Sequence, residues 1–118
     1  DTVHTTELDT SYMAGIEAMK ALDYKRAVTI LRPYDDYNAA LAFMSADYNH
    51  SALDVLGRLD AKDPKVCYLM AMVLVRLEQY AEARKYFELC LAYDPYMRHR
   101  ANLDPEMYVL VNDDGNNH

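Results

Sequence analysis

Between residues 63 and 96 the apolar positions fall on two helical stripes separated by a short polar break. Val66, Leu69, Met70, Val73, Leu74 and Leu77 follow the i, i+3, i+4, i+7 spacing that places side chains on one face of a helix. Asp63 and Pro64 supply a start signal, because the carboxylate can accept from exposed backbone N–H groups and proline costs nothing at the first helical position. Ala83, Tyr86, Phe87, Cys90 and Leu91 give a second stripe, which Asp94-Pro95 ends because the residue before a proline is driven out of the helical region. The segment is predicted to be helix, tight turn, helix.

The remaining chain carries weaker copies of that pattern. Asp9, Thr10 or Ser11 can cap a helix reaching about Ala21, Leu22-Asp23-Tyr24 makes a turn, and a returning helix from Tyr24 to Arg32 is cut by Pro33. A second pair is expected over Asp35–Ala46 and Asn49–Leu59. After Pro95 the sequence YMRHRANLDPEMYVLV offers one more start at Asp104-Pro105-Glu106 and a short apolar segment.

The stretch 63–96 resembles the tetratricopeptide repeat, a 34-residue helix-turn-helix with small residues at set positions and Asp-Pro near its end. Ala71, Tyr80, Ala83, Phe87 and Tyr93-Asp94-Pro95 carry the resemblance, while Cys67 stands where an aromatic is usual and Cys90 where alanine is usual. The resemblance implies an all-α fold, a right-handed α-solenoid of about three degenerate helix-turn-helix repeats with a C-terminal capping helix. The repeats are expected over 9–34, 35–62 and 63–95 and the cap over 96–111, with a linker at 1–8 and a flexible tail at 112–118. The small residues Ala27, Ala52 and Ala83 of the second helices are unequally spaced, which marks the first repeat as truncated.

Aligning the first helices on Gly15, Ala40 and Ala71 brings out a second stripe. Tyr12, Tyr37 and Tyr68 stand three positions before the small residue, Ile16, Leu41 and Met72 one after, Met19, Met44 and Val75 four after, and Lys20, Ser45 and Arg76 five after. In the repeat family these positions line a concave groove. Tyrosine offers rigid contact area with a hydroxyl and methionine adapts to irregular shapes, so Tyr12, Ile16, Met19, Lys20, Tyr37, Leu41, Met44, Tyr68, Met72 and Arg76 form the expected peptide-binding groove. The competing reading is that the stripe is core, covered by stacked repeats or by the segment around Met107, Tyr108 and Leu110. The same geometry puts Cys67 and Cys90 at similar height on antiparallel helices, compatible with a disulfide or with two small buried hydrophobes.

Composition narrows the function. The chain has 118 residues, 52% of them hydrophobic, with a formal net charge of −7. That suits one folded domain, and no apolar run approaches the length of a membrane span. Residues 1–19 hold Asp1, Glu7, Asp9 and Glu17, residues 101–118 hold Asp104, Glu106, Asp113 and Asp114, and neither end has Lys or Arg. The near-neutral middle lacks the basic stripe a phosphate backbone requires, so nucleic acid is not an expected partner.

No nucleophile with a base, no phosphate cradle and no metal-ligand spacing is visible. His4, His50, His99 and His118 are scattered, so neither catalysis nor a cofactor is expected. Arg98, His99 and Arg100 form a basic cluster after the last long helix, suited to offset that helix's negative end. The chain starts at Asp1 without methionine, which reads as a processed or excised piece. Its tyrosine content and small size further resemble repeat domains of exported or outer-membrane-associated bacterial proteins. The sequence therefore predicts a non-enzymatic protein-interaction module, periplasmic or envelope-associated, with a cytoplasmic setting as the alternative. Its partner would be a peptide, a protein or a second copy of the chain. The other reading is a structural spacer or assembly domain whose groove is filled by its own C-terminal segment or by that second copy.

Overall fold

The computed structural model describes residues 2–116, with side chains over 10–112. Among the described residues every regular element is helical: α1 (Thr2–Lys20), α2 (Tyr24–Leu31), a 3₁₀ turn (Arg32–Tyr34), α3 (Tyr37–Ser45), α4 (Asn49–Gly57), α5 (Pro64–Arg76), α6 (Tyr80–Tyr93), α7 (Met97–Asn102), a second 3₁₀ turn (Pro105–Met107) and α8 (Tyr108–Asn116). The contacts group the chain into two compact units, Asp1–Val55 and Leu56–His118, and the boundary falls inside α4.

One turn recurs three times and ties sequence to architecture. At Leu22, Asp47 and Glu78 the backbone takes the left-handed conformation, with φ of 63°, 68° and 60°. Around each, the next residue's N–H reaches back to a carbonyl five positions earlier: Asp23 to Ala18 (2.9 Å), Tyr48 to Phe43 (2.8 Å) and Gln79 to Leu74 (2.8 Å). This is the Schellman closure, which satisfies carbonyls that a helix end leaves unpaired. The left-handed residue normally favours glycine, and here all three positions carry a side chain at a cost of about 1 kcal/mol each.

Helix starts follow the aspartates. Asp63 Oδ1 accepts from Lys65 N at 2.9 Å with Pro64 opening α5, and Asp36 Oδ1 accepts from Ala39 N at 2.9 Å to open α3. Pro33 stops α2 at Leu31, since its ring cannot enter the helix interior, and the chain leaves through the 3₁₀ turn to Asp35, whose φ is 53°.

At both ends helix extends into residues that the sequence reading assigned to linker and tail. The linker expected over 1–8 lies, from Thr2 onward, inside α1, and Asp9, Thr10 and Ser11 are internal to that helix rather than its caps. No proline or glycine stands between Thr2 and Ala14 to interrupt it. The tail expected from residue 112 continues α8 to Asn116, because Met107 and Leu110, both fully buried, anchor the helix from which those residues extend. Residues 117 and 118 lie outside the described residues.

In the first unit the core gathers Ala18, Ala27, Val28, Leu31, Ala39, Ala40, Ala42, Phe43 and Met44. Gly15 explains how closely α1 and α2 approach, since a Cβ there would stand 2.5 Å from Leu31 Cδ2 and 2.6 Å from its Cγ. In the second unit α5 is buried from Val66 to Leu74 and packs along α6 through Ala83, Phe87 and Cys90. A helix apolar on all sides is one enclosed by neighbours rather than laid on a surface.

Candidate functional site

The groove residues expected from the sequence divide sharply by environment. In the first unit Tyr12, Ile16, Met19, Tyr37 and Leu41 are partly exposed, Lys20 is exposed and paired to Glu17 at 3.6 Å, and Met44 is buried. In the second unit Tyr68 and Met72 are buried and Arg76 is partly buried. Tyr68, Met72 and Met44 thus present no open face.

In the second unit the C-terminal segment closes over the stripe. The Tyr68 hydroxyl donates to Asp104 Oδ2 at 2.9 Å, and Asp104 Oδ1 accepts from Glu106 N at 3.0 Å, so one carboxylate both caps the second 3₁₀ turn and holds the tyrosine. Arg76 grips Glu106 with two parallel bonds, Nε to Oε2 at 2.7 Å and Nη2 to Oε1 at 2.9 Å, the fork geometry that suits guanidinium and carboxylate. The Arg100 guanidinium lies 4.2 Å from the Tyr68 ring centroid, within cation–π range. Arg76 holds the Glu106 carboxyl below its usual range, and burial followed by the Asp104 hydrogen bond pushes the Tyr68 phenol far up.

The first unit repeats this device with different partners. Tyr12 donates to Asp36 Oδ2 at 2.7 Å and accepts from Asn38 Nδ2 at 2.6 Å, while Asp36 also caps α3. Tyr34 meets Tyr12 edge-to-face with ring centroids 4.8 Å apart. Burial first, and the Asp36 bond second, raise the Tyr12 phenol above its ordinary value. In each unit a tyrosine at the same repeat position locks the aspartate that starts a later helical segment. The sequence placed these tyrosines on a stripe read either as a ligand face or as core, without Asp36 and Asp104 as their partners. The legible signal was that both aspartates sit at helix starts.

Cys67 and Cys90 are both buried and stand as free thiols in this structure. Cys67 Sγ donates to the Ala61 carbonyl at 2.9 Å. Burial, with Cys67 as the next contribution, pushes the Cys90 thiol up to about 11. Among the described residues no three His, Cys, Asp or Glu side chains gather as a metal site would require, and no helix is long and apolar enough to cross a membrane. An apolar concavity of about 750 Å³ opens beside Tyr12, lined by Ser11, Ala14, Ile30, Pro33 and Tyr34; none of the expected groove residues lines it.

Residues 64–96 match the family model of the tetratricopeptide repeat. With the helical fold, this marks a tetratricopeptide-like domain. Neither the curated proteins nor the solved structures give a significant match. The matched residues are α5, α6 and the turn between them, so the best-formed tetratricopeptide helix pair is also the one closed over by the C-terminal segment. Tetratricopeptide repeats are typically non-catalytic and serve protein–protein interaction, and that is the functional class this domain's fold suggests.

Proposed function

We propose that the domain binds a peptide or protein segment, and that the face engaged is the one in the first unit formed by Tyr12, Ile16, Met19, Lys20, Tyr37 and Leu41. The observation that carries the reading is the contrast between the units. On α5 the corresponding residues Tyr68 and Arg76 already hold a segment of the chain's own through Asp104 and Glu106, and Met72 is buried, whereas Tyr12, Ile16, Tyr37 and Leu41 on α1 and α3 stay partly exposed and Lys20 is exposed. The occupied face illustrates the chemistry the stripe accepts: an apolar residue flanked by carboxylates, met by tyrosine and a cation. Arg76 has Lys20 as its counterpart.

The test is selection of peptides from a displayed library on the full chain, followed by binding to Met19→Glu and Leu41→Gln variants whose helical content is checked by circular dichroism. Loss of binding in folded variants supports the reading. Selected peptides that bind the variants as tightly as the parent chain would sink it.

The closed face on α5 favours a second reading, that of a structural or assembly domain whose groove is filled by its own C-terminal segment or that of a second copy. Sedimentation at high micromolar concentration separates the two forms: a dimer weakened by Arg76→Glu supports exchange between copies, and a monomer under all conditions rules it out. An envelope location belongs to this second reading and rests on composition, 11 tyrosines among 118 residues.

A further inference from the structure

A second surface of the first unit carries chemistry that neither the groove nor the repeat accounts for. On α2 and the following 3₁₀ turn, Lys25, Val28, Thr29 and Arg32 form a stripe along one wall of a cleft of about 470 Å³, and Phe43, Tyr48 and Ser51 form the other wall. No carboxylate lines it. This is unexpected in a chain with 19 acidic residues against 12 basic ones. Three other cations are neutralised locally: Lys20 by Glu17, Lys85 by Glu82 and Arg76 by Glu106. Lys25 and Arg32 make no ion pair among the described residues. The Arg32 guanidinium instead lies 5.7 Å from the Phe43 ring centroid, and Phe43 meets Tyr48 edge-to-face at 6.4 Å. The aromatic wall holds the arginine head group in place without spending its charge, so its donors stay available to a ligand.

We infer that this cleft binds a peptide segment carrying two carboxylate side chains on either side of an apolar residue. The dimensions follow from the helix. Lys25 and Arg32 are seven positions apart, which is roughly 10 Å along a helix axis at about 1.5 Å per residue. Alternate side chains of an extended peptide share one face, so carboxylates at positions i and i+4, about 13 Å apart, span that distance with side-chain reach to spare and place the i+2 residue between them. One carboxylate would face Lys25 and the other Arg32, while an aliphatic side chain between them rests chiefly on the half-exposed Tyr48 ring, beside the edges of the largely buried Val28 and Phe43. Tyr48 and Ser51 add hydroxyl donors at the rim; Thr29 contributes acceptor capacity only, since its hydroxyl already donates to the Lys25 carbonyl at 3.1 Å. Paired cations astride an aromatic floor favour a carboxylate peptide over a free anion, because the floor contributes only if the ligand brings apolar surface with its charge.

The experiment uses the full chain and a fluorescein-labelled peptide with a Glu-Ala-Leu-Ala-Glu core, followed by fluorescence anisotropy and amide chemical-shift mapping. The expected result is saturable binding whose shifts concentrate on residues 25–32 and 43–51. Lys25→Glu combined with Arg32→Glu should weaken it by about tenfold or more, and the glutamine version of the peptide should bind at least as poorly. Both substituted side chains are exposed, and circular dichroism confirms the fold of the variant. No saturable binding, binding unchanged by the double substitution, or shifts located elsewhere would each overturn the inference. So would competition by inorganic phosphate at concentrations equal to the peptide, which would mark a simple anion site. None of these residues belongs to the Tyr12–Leu41 face, so failure here leaves the proposed groove untouched.

Discussion

Removing a single oxygen, in Tyr68→Phe, isolates what the tyrosine lock contributes to the second unit. The ring stays, so the buried volume and the Arg100 stacking at 4.2 Å are retained; only the 2.9 Å bond to Asp104 is lost. A hydrogen bond to a charged acceptor is worth about 1.5–3 kcal/mol. Asp104 is only partly buried, so water can replace the missing donor, and about 1–1.5 kcal/mol is the reasonable expectation. Asp104→Asn keeps a capping oxygen for the 3₁₀ turn while removing the charge, because asparagine caps nearly as well as aspartate. The two changes should therefore couple: the double variant loses less than the sum of the singles by about 1 kcal/mol. The assay is native-state hydrogen exchange at the α8 amides, since a local closure is read best where it acts. Each 1.4 kcal/mol of lost protection speeds exchange about tenfold. Exchange in α8 unchanged by Tyr68→Phe, or strictly additive single and double variants, would refute the claim that this bond fastens the C-terminal segment. Tyr12→Phe should show the same behaviour at α3 with a smaller effect, because Tyr12 is partly exposed.

Two further outcomes follow from the packing and the charges. Gly15→Ala should destabilise the first unit by about 1–2 kcal/mol in a urea titration, because the added methyl meets Leu31 at 2.5 Å and overpacking outweighs the gain in helix propensity; a more stable variant would show that α1 and α2 can part freely. Glu106 has a depressed carboxyl pKa in the folded chain, so its contribution is present above the ordinary glutamate value near 4.3 and is lost as pH falls through the lower folded value. Glu106→Gln should therefore flatten the acid limb of the stability profile below about pH 4.5, and an unchanged limb would mean that the Arg76 clamp is not formed in solution.

The helix start at Asp63, the stop at Pro33 and the small position at Gly15 were legible in the sequence, whereas α3, expected from Asp35, is capped by Asp36. Each of the three legible features is a local rule acting within one turn of chain: a carboxylate beside free N–H groups, a ring that cannot continue, an absent Cβ. The extent of α1 was not legible, because capping residues permit a helix to start without compelling it to. The left-handed turns were also hidden, since Leu22, Asp47 and Glu78 are not the glycines that advertise such a conformation.

For the candidate site the division is sharper still. Sequence alone established that Tyr12, Tyr37 and Tyr68 share a repeat position, because periodicity is a property of spacing. It could not establish whether that position faces a ligand, since exposure depends on which distant segment folds back. Asp104 lies 36 positions from Tyr68 and Glu106 lies 30 from Arg76, and no local pattern links them. The tertiary structure made Tyr68 a buried lock and left Tyr12 partly open, and it brought Lys25, Arg32 and Tyr48 from separate elements to one cleft. Sequence set the ladder and its rungs; the folding back of the C-terminal segment, an interaction distant along the chain, decided which rungs remain accessible.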